Sequence, residues 1–263
     1  MNIERIEIED LQKKIRVLKN NHGCSGFKLS TEESGHSLEI IDFMNNRLLD
    51  GILPLSMKIG GPDARTDIVN GLKIGVSGFI GPMIESSFGV KKFSEAVKKY
   101  VDDKTRKKLQ LSINLESYQA YLNIDEILDT PEIQYIDQIV IGSSDLANSV
   151  SKQKWDDELI AVVKEIAVKS KAKGFNVRIG GMIGLCMEHP DKLQRLLKET
   201  KADRVNTSNA CFNVKEIPDF KKANIEALNF EKMLNGYWYY SKKSHVAILK
   251  NKYLASKKKT ENK

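Results

Sequence analysis

One repeating unit dominates the 263-residue chain: a short apolar run followed by an amphipathic helical stretch. FKLSTE (27–32) leads into SLEIIDFMNNRLL, LSMKIGG (55–61) into DARTDIVNGLKIG, and GFIGPMIES (78–86) into FGVKKFSEAVKKYV. LQLSINLES (109–117) leads into IDEILDTPEI, and IVIGSSDLA (139–147) into WDDELIAVVKEIAVKSKAKG. NVRIGGMIG (176–184) precedes HPDKLQRLLKET, and RVNTSNA (204–210) precedes charged helical sequence. Strands alternating with helices of this length specify a parallel sheet covered by helices.

Such a sheet either stays open and doubly wound or closes into a (β/α)8 barrel. Seven strands are readable, so the count does not decide. The strand ends do: Lys28 and Glu32, Lys58, Gly60 and Gly61, Pro82 and Glu85, Glu116, Ser143 and Asp145, Gly180 and Gly181, Asn206, Ser208 and Asn209. Polar or glycine-rich termini on nearly every strand suit a barrel, which gathers all its strand ends around one mouth. An open sheet concentrates them at one switch point. The expected fold is therefore an α/β TIM-type barrel with an extra N-terminal helix and a C-terminal helical extension. The eighth strand either precedes Phe27 or is lost. A single domain over 1–263 is expected, with the N-terminal helix in 1–25, the barrel in 26–213, the helical extension in 214–255 and a disordered tail in 256–263.

With 41% hydrophobic residues, the chain can fill one sizeable core. No apolar run nears the roughly 20 residues that cross a membrane. MNIERIEIEDLQKK lacks the apolar region of a signal peptide, so a cytoplasmic protein is expected. Cys24, Cys186 and Cys211 are widely spaced, which suits free thiols. The formal charge of +7 raises the possibility of nucleic acid, but the lysines are dispersed and aromatics do not interleave with them. The charge is read as a solvated surface with a preference for small anionic substrates, with no nucleic-acid or membrane partner.

Glu116 and Asp145 end two neighbouring strands. Two carboxylates at one barrel mouth can share a hard divalent cation, Mg²⁺ or Mn²⁺, and leave positions open for substrate oxygens. The plainer alternative makes Glu116 a loop residue and Asp145 part of a helix cap.

Three stretches, GVSGFIGPMIES (75–86), SINLES (112–117) and IDEILDTPEIQYIDQIVIGSSDLANSV (124–150), resemble the HpcH/HpaI aldolase and citrate lyase β-subunit-like family of phosphoenolpyruvate/pyruvate-binding barrels. The resemblance implies a metal-dependent C–C lyase or aldolase acting on a pyruvate-type oxo-acid or an acyl-CoA. It also implies that the matching acids, Glu116 and Asp145, hold the metal. Two departures stand out. Where the family carries an Arg at the end of the second strand, this chain has Lys58. The D-x-E-H-G motif is replaced by FKLSTEESGHS (27–37), which offers Glu32 and His36 beside Lys58 as catalytic candidates.

The remaining candidates contact substrate. Gly60 and Gly61 open a helix whose free N–H groups suit an anion, or they serve a tight turn. Gly180, Gly181 and Gly184 repeat that design. Lys28 and Lys58 either bind a carboxylate, pair with Glu32, Glu85 or Glu116, or form a Schiff base. Glu85, Ser144 and Asn206 lie at the same strand ends, with Ser208 and Asn209 as hydrogen-bonders to a substrate tail. Arg65 and Arg178 are second-rank anion binders, and His22, His189 and His245 are read as structural. Tyr237, Trp238, Tyr239 and Tyr240 suggest a homo-oligomer contact through the C-terminal helical region. A ligand-binding barrel without catalysis, and a Schiff-base aldolase using Lys58 or Lys28, stand as alternatives.

Overall fold

A computed structural model describes residues 7–153, 156–181 and 187–241, with backbone alone for 239–241. The expected tail, Gly184, Cys186, His245 and the side chains of Tyr239 and Tyr240 lie outside the described residues.

Eight strands close into one barrel in chain order. They are β1 (Cys24–Ser30), β2 (Leu55–Lys58), β3 (Gly78–Gly81), β4 (Gln110–Leu115), β5 (Gln138–Gly142), β6 (Asn176–Gly180), β7 (Arg204–Thr207) and β8 (Ala210–Asn213). The first seven run parallel. The eighth neither precedes Phe27 nor is lost: it folds back from β7 through a two-residue turn at Ser208 and Asn209, then pairs antiparallel with both β7 and β1. RVNTSNACFN is thus a hairpin rather than one strand.

Alternation along each strand sorts the side chains into two populations. Phe27, Leu29, Met57, Phe79, Leu111, Ile113, Leu115, Ile139, Ile141, Val177, Ile179, Val205 and Phe212 face the helices and form the main core with them. The other face of each strand points at the barrel axis. There the register pairs Lys28 with Ser56, Lys58 with Ile80, Asn114 with Val140 and Val140 with Arg178. The axis is therefore largely polar, where barrels usually stack branched aliphatic residues.

Serines start several of the covering helices: Ser37 accepts from Ile40 N, Ser86 from Gly89 N and Ser117 from Ala120 N. The N-terminal helix (Ile8–His22) buries Leu11, Ile15 and Leu18. The C-terminal helix runs from Phe220 to Ser241. Tyr237 stacks on Phe43 at 5.4 Å between ring centroids, and Trp238 meets the same ring edge-on at 4.6 Å. Trp238 is 5% exposed, and Tyr237 beside it is partly buried. Among the described residues, no helix is long and apolar enough to cross a membrane.

Candidate active site

The C-terminal ends of the parallel strands surround a cavity of about 140 Å³. Lys28 and Lys58 reach it from β1 and β2, Asn114 and Glu116 from β4, and Gly142, Ser144 and Asp145 from β5 and its following turn. Gly180, Gly181, Asn206 and Ser208 complete the rim.

Glu116 anchors the site. It follows the last residue of β4 and is 2% exposed. Lys58 Nζ donates to its Oε2 at 3.0 Å, Asn114 Nδ2 to the same oxygen at 2.8 Å, and Met83 N–H to Oε1 at 2.9 Å. A carboxylate offers about two lone-pair positions per oxygen. Oε2 is therefore filled, and Oε1 keeps one position for another partner. Gly142 makes the approach possible: a Cβ there would lie 2.7 Å from Glu116 Oε2 and 2.6 Å from its Cβ. Only glycine lets β5 run this close to the carboxylate.

Lys58 sits between two acids, since its Nζ also donates to Glu33 Oε2 at 2.9 Å. Burial alone would push the ammonium down, but Glu116 and Glu33 outweigh it and hold Lys58 above the ordinary lysine range. For Glu33, burial would raise the carboxyl, yet Lys28 and Lys58 draw it below the usual value. Lys28 lies 3.4 Å from the same Glu33 oxygen.

Asp145 stands in the first turn of the helix Ser143–Ser149. It has no hydrogen bond or ion pair among the described residues. Burial, and then the negative charge of Glu116, push its carboxyl above the ordinary Asp range. An unpartnered acid destabilised by a second acid is one that a cation would relieve. The donors are oxygens only: Glu116, Asp145 and Asn114 Oδ1, which is buried without a partner. That set suits a hard divalent cation rather than a thiolate- or imidazole-seeking one. Among the described residues, no three His, Cys, Asp or Glu side chains converge on one point. A cation here would lean on two carboxylates, with water and substrate filling its remaining positions.

Several expected residues lie elsewhere. Glu32 is not on the cavity; its side chain packs over Gly60. The turn after β1 explains the exchange: Ser30 Oγ accepts from Glu33 N, Gly35 N–H donates to Glu32 O, and Glu33 rather than Glu32 is turned inward. His36 is drawn to the strand end, where Nδ1 lies 3.1 Å from Ser30 O. Gly60 N–H is taken by Asp67 Oδ2 at 2.8 Å, which Thr31 also contacts, so neither Gly60 nor Gly61 lines the cavity. Glu85 accepts from Ser117 Oγ at 2.5 Å, outside the lining. Arg65 pairs with Asp63, and Arg178 is sealed inside the barrel.

Other residues at the mouth escaped the sequence reading. Asn114 lies two positions before Glu116 and so shares its strand face, a relation that period-2 counting exposes. Glu33 is adjacent to Glu32, the acid expected from the sequence. Glu231, from the C-terminal helix, accepts from Ser208 Oγ at 2.8 Å and Asn209 N–H at 2.9 Å. It thereby ties the β7–β8 turn to that helix, and burial pushes its carboxyl up. No local signal links Glu231 to a turn 22 residues earlier.

The fold has known counterparts. The citrate synthase SbnG structure aligns with 72% of this chain and 78% of its own, at 17% identity and a TM-score of 0.57. A HpcH/HpaI aldolase/citrate lyase family protein from Burkholderia cenocepacia J2315 aligns with 75% of this chain and 83% of its own, at 12% identity and a TM-score of 0.59. No curated protein matches by sequence. The HpcH/HpaI aldolase/citrate lyase family model matches residues 60–202, a span that contains Glu116, Asp145 and Gly181. The chain belongs to the HpcH/HpaI aldolase/citrate lyase family.

Proposed function

We propose that the protein is a divalent-metal-dependent C–C lyase or aldolase that acts next to the carbonyl of a small oxo-acid or acyl-CoA. Membership of the family supports a C–C lyase-type function. The observation that carries the finer reading is Asp145: an acid without a hydrogen bond or ion pair among the described residues, raised by burial and by Glu116, on the cavity that Glu116 and Lys58 share.

When bound by Glu116 and Asp145, Mg²⁺ or Mn²⁺ would supply Lewis acidity toward the substrate's carbonyl and carboxylate oxygens. The chain's own residues do the rest. Asn114 and the Met83 N–H fix the Glu116 carboxylate, so its free lone pair points one way. Lys58, held charged by two acids, presents an ammonium where negative charge develops on the substrate oxygen. Lys28 adds a second cation for a substrate carboxylate. Ser144 and the glycines at 180 and 181 line the same cavity, and Gly181 leaves the room that the Ser143 and Ser144 hydroxyls occupy, the first 2.8 Å from where a Cβ would stand and the second closer still.

The Schiff-base alternative requires a lysine whose ammonium is destabilised so that the free amine can attack. Lys58 has the opposite setting. Lys28 remains open to the test below through its exposure to the same cavity. A homo-oligomer and a cytoplasmic location remain part of the proposal.

The deciding experiment measures retro-aldol or lyase turnover on oxo-acid substrates before and after chelation, together with borohydride trapping in the presence of pyruvate. Activity lost on chelation and restored by Mn²⁺, without a covalent adduct, supports the proposal. A trapped adduct on Lys28 or Lys58 would replace it with the imine route.

A further inference from the structure

The opposite end of the barrel holds a second polar cavity, of about 230 Å³. It lies where the parallel strands begin and β8 ends; Gln110, Gln138, Asn176, Arg204 and Lys215 line it together with one acid, Asp203. Two features set it apart from an ordinary barrel bottom. Arg204 is the register partner of Arg178 on the neighbouring strand, so the two arginines share one face of the sheet, and Arg204 Nη1 donates to Gln110 Oε1 at 3.2 Å. Neither makes an ion pair among the described residues. Arg178 is 1% exposed, and its only described hydrogen bond goes to a weak acceptor, Cys211 Sγ at 3.6 Å. Its Nε is buried without a partner, as is Gln138 Nε2 on the cavity wall.

The acids nearby are already used. Asp203 takes Lys171 at 3.0 Å and Val177 N–H at 2.8 Å. Glu216 accepts from Asn213 Nδ2 at 2.6 Å. Lys215 makes no ion pair among the described residues. A buried guanidinium without a counter-charge is strongly unfavourable, and a second one beside it compounds the cost. Burial, with the charge of Arg204 adding to it, holds Arg178 below the ordinary arginine range.

We infer that this end of the barrel binds a small phosphate-type oxyanion, with Arg204 and Lys215 as direct contacts, Gln138 as an amide donor and Arg178 as buried positive charge behind them. A guanidinium fork matches two oxygens of such an anion. The cavity holds one phosphate with a few waters. The inference concerns a separate site and does not rest on the proposed lyase chemistry.

The test is calorimetric titration of the intact chain with inorganic phosphate at low chloride. One-site binding is expected. It should weaken at least about tenfold in Arg204→Gln and severalfold in Lys215→Ala, because each removes a charge-assisted contact. Lys28→Ala, at the other end, should leave it unchanged. If Arg204→Gln fails to fold, the exposed Lys215 decides. No heat with phosphate up to about 10 mM, an affinity that follows Lys28 instead, or an affinity indifferent to Lys215 would each overturn the inference.

Discussion

The two ends of the barrel axis are built from similar residue types with opposite balances. At the mouth, Glu33, Glu116 and Asp145 face Lys28 and Lys58. Acids outnumber cations there, and Lys58 is braced between two of them. At the other end, Arg204 and Lys215 face Asp203, which Lys171 already neutralises, with Arg178 buried on the neighbouring strand. Pairing buried charges costs little beyond desolvation, whereas leaving one unpaired costs far more. The mouth is therefore charged but nearly closed as a circuit, with one surplus negative position at Asp145. The far end is open in the opposite sense. The difference separates a site that wants a cation from one that wants an anion, along a single axis.

Breaking the mouth circuit should produce the largest effect. Glu116→Ala removes the acid that Lys58, Asn114 and Met83 all contact, and leaves a buried ammonium with Glu33 as its sole acid. Stability should fall by about 3–5 kcal/mol, the range for breaking a buried pair. Mn²⁺ binding should vanish. Urea denaturation and calorimetry measure the two losses; unaltered Mn²⁺ affinity would remove the metal from Glu116.

Lys58→Ala attacks the same circuit from its cationic side. Turnover should drop on the order of 10²–10³, with a much smaller change in metal affinity. Lys58→Arg should fail to restore the full rate, since the longer fork must fit between Glu33 and Glu116 in space shaped for an ammonium. Steady-state kinetics on both variants would show it, and an unimpaired Lys58→Ala enzyme would make the lysine a structural partner only.

Gly142→Ala sharpens the comparison without changing any charge. Its Cβ would overlap Glu116, so the carboxylate must shift. A displacement of this size near the chemistry costs up to about 10² in rate. Mn²⁺ affinity and turnover should fall together; a variant matching the parent in both would show that Glu116 has slack.

The smallest effect is in stability and has the opposite sign. The folded state raises the Asp145 carboxyl, so the native protein holds that proton more tightly than the unfolded chain. The stability tied to this group is present at low pH and is lost as pH climbs through its folded value. Asp145→Asn should therefore raise the melting temperature of the metal-free protein slightly at neutral pH and flatten the loss above the Asp range, while abolishing Mn²⁺ binding. A melting temperature lowered at neutral pH would contradict the assigned strain.

The strand order and the mouth were legible because alternation and polar strand ends are local properties. Glu116 and Asp145 stood out as acids where apolar runs stop. The eighth strand was not legible: its turn uses Ser208 in a left-handed conformation, φ 52°, without the glycine that normally announces a hairpin. Gly60 looked like an anion-binding N–H, but Asp67, seven positions on, takes it. Glu32 and Glu33 are indistinguishable by type, and a turn closed by Ser30 selects between them. Arg178 reads as a second-rank anion binder because nothing in NVRIG announces that its neighbour across the sheet is another arginine. The misses at Gly60 and Glu33 turn on side-chain contacts made within a few positions, and those at Arg178 and Glu231 on contacts between segments far apart in the chain.

The hairpin that completes the barrel also fixes when the barrel can exist during synthesis. β8 seals against β1, where Ser25 meets Cys211 across 186 positions of sequence. Until that hairpin leaves the ribosome, β1 and β7 are open edges, and β1 waits through most of translation for its second neighbour. Long-range closure of this kind is slow, and unpaired edges invite wrong partners. A nascent chain stalled before residue 210 would present the finished mouth acids on an unfinished cylinder, a natural target for chaperones.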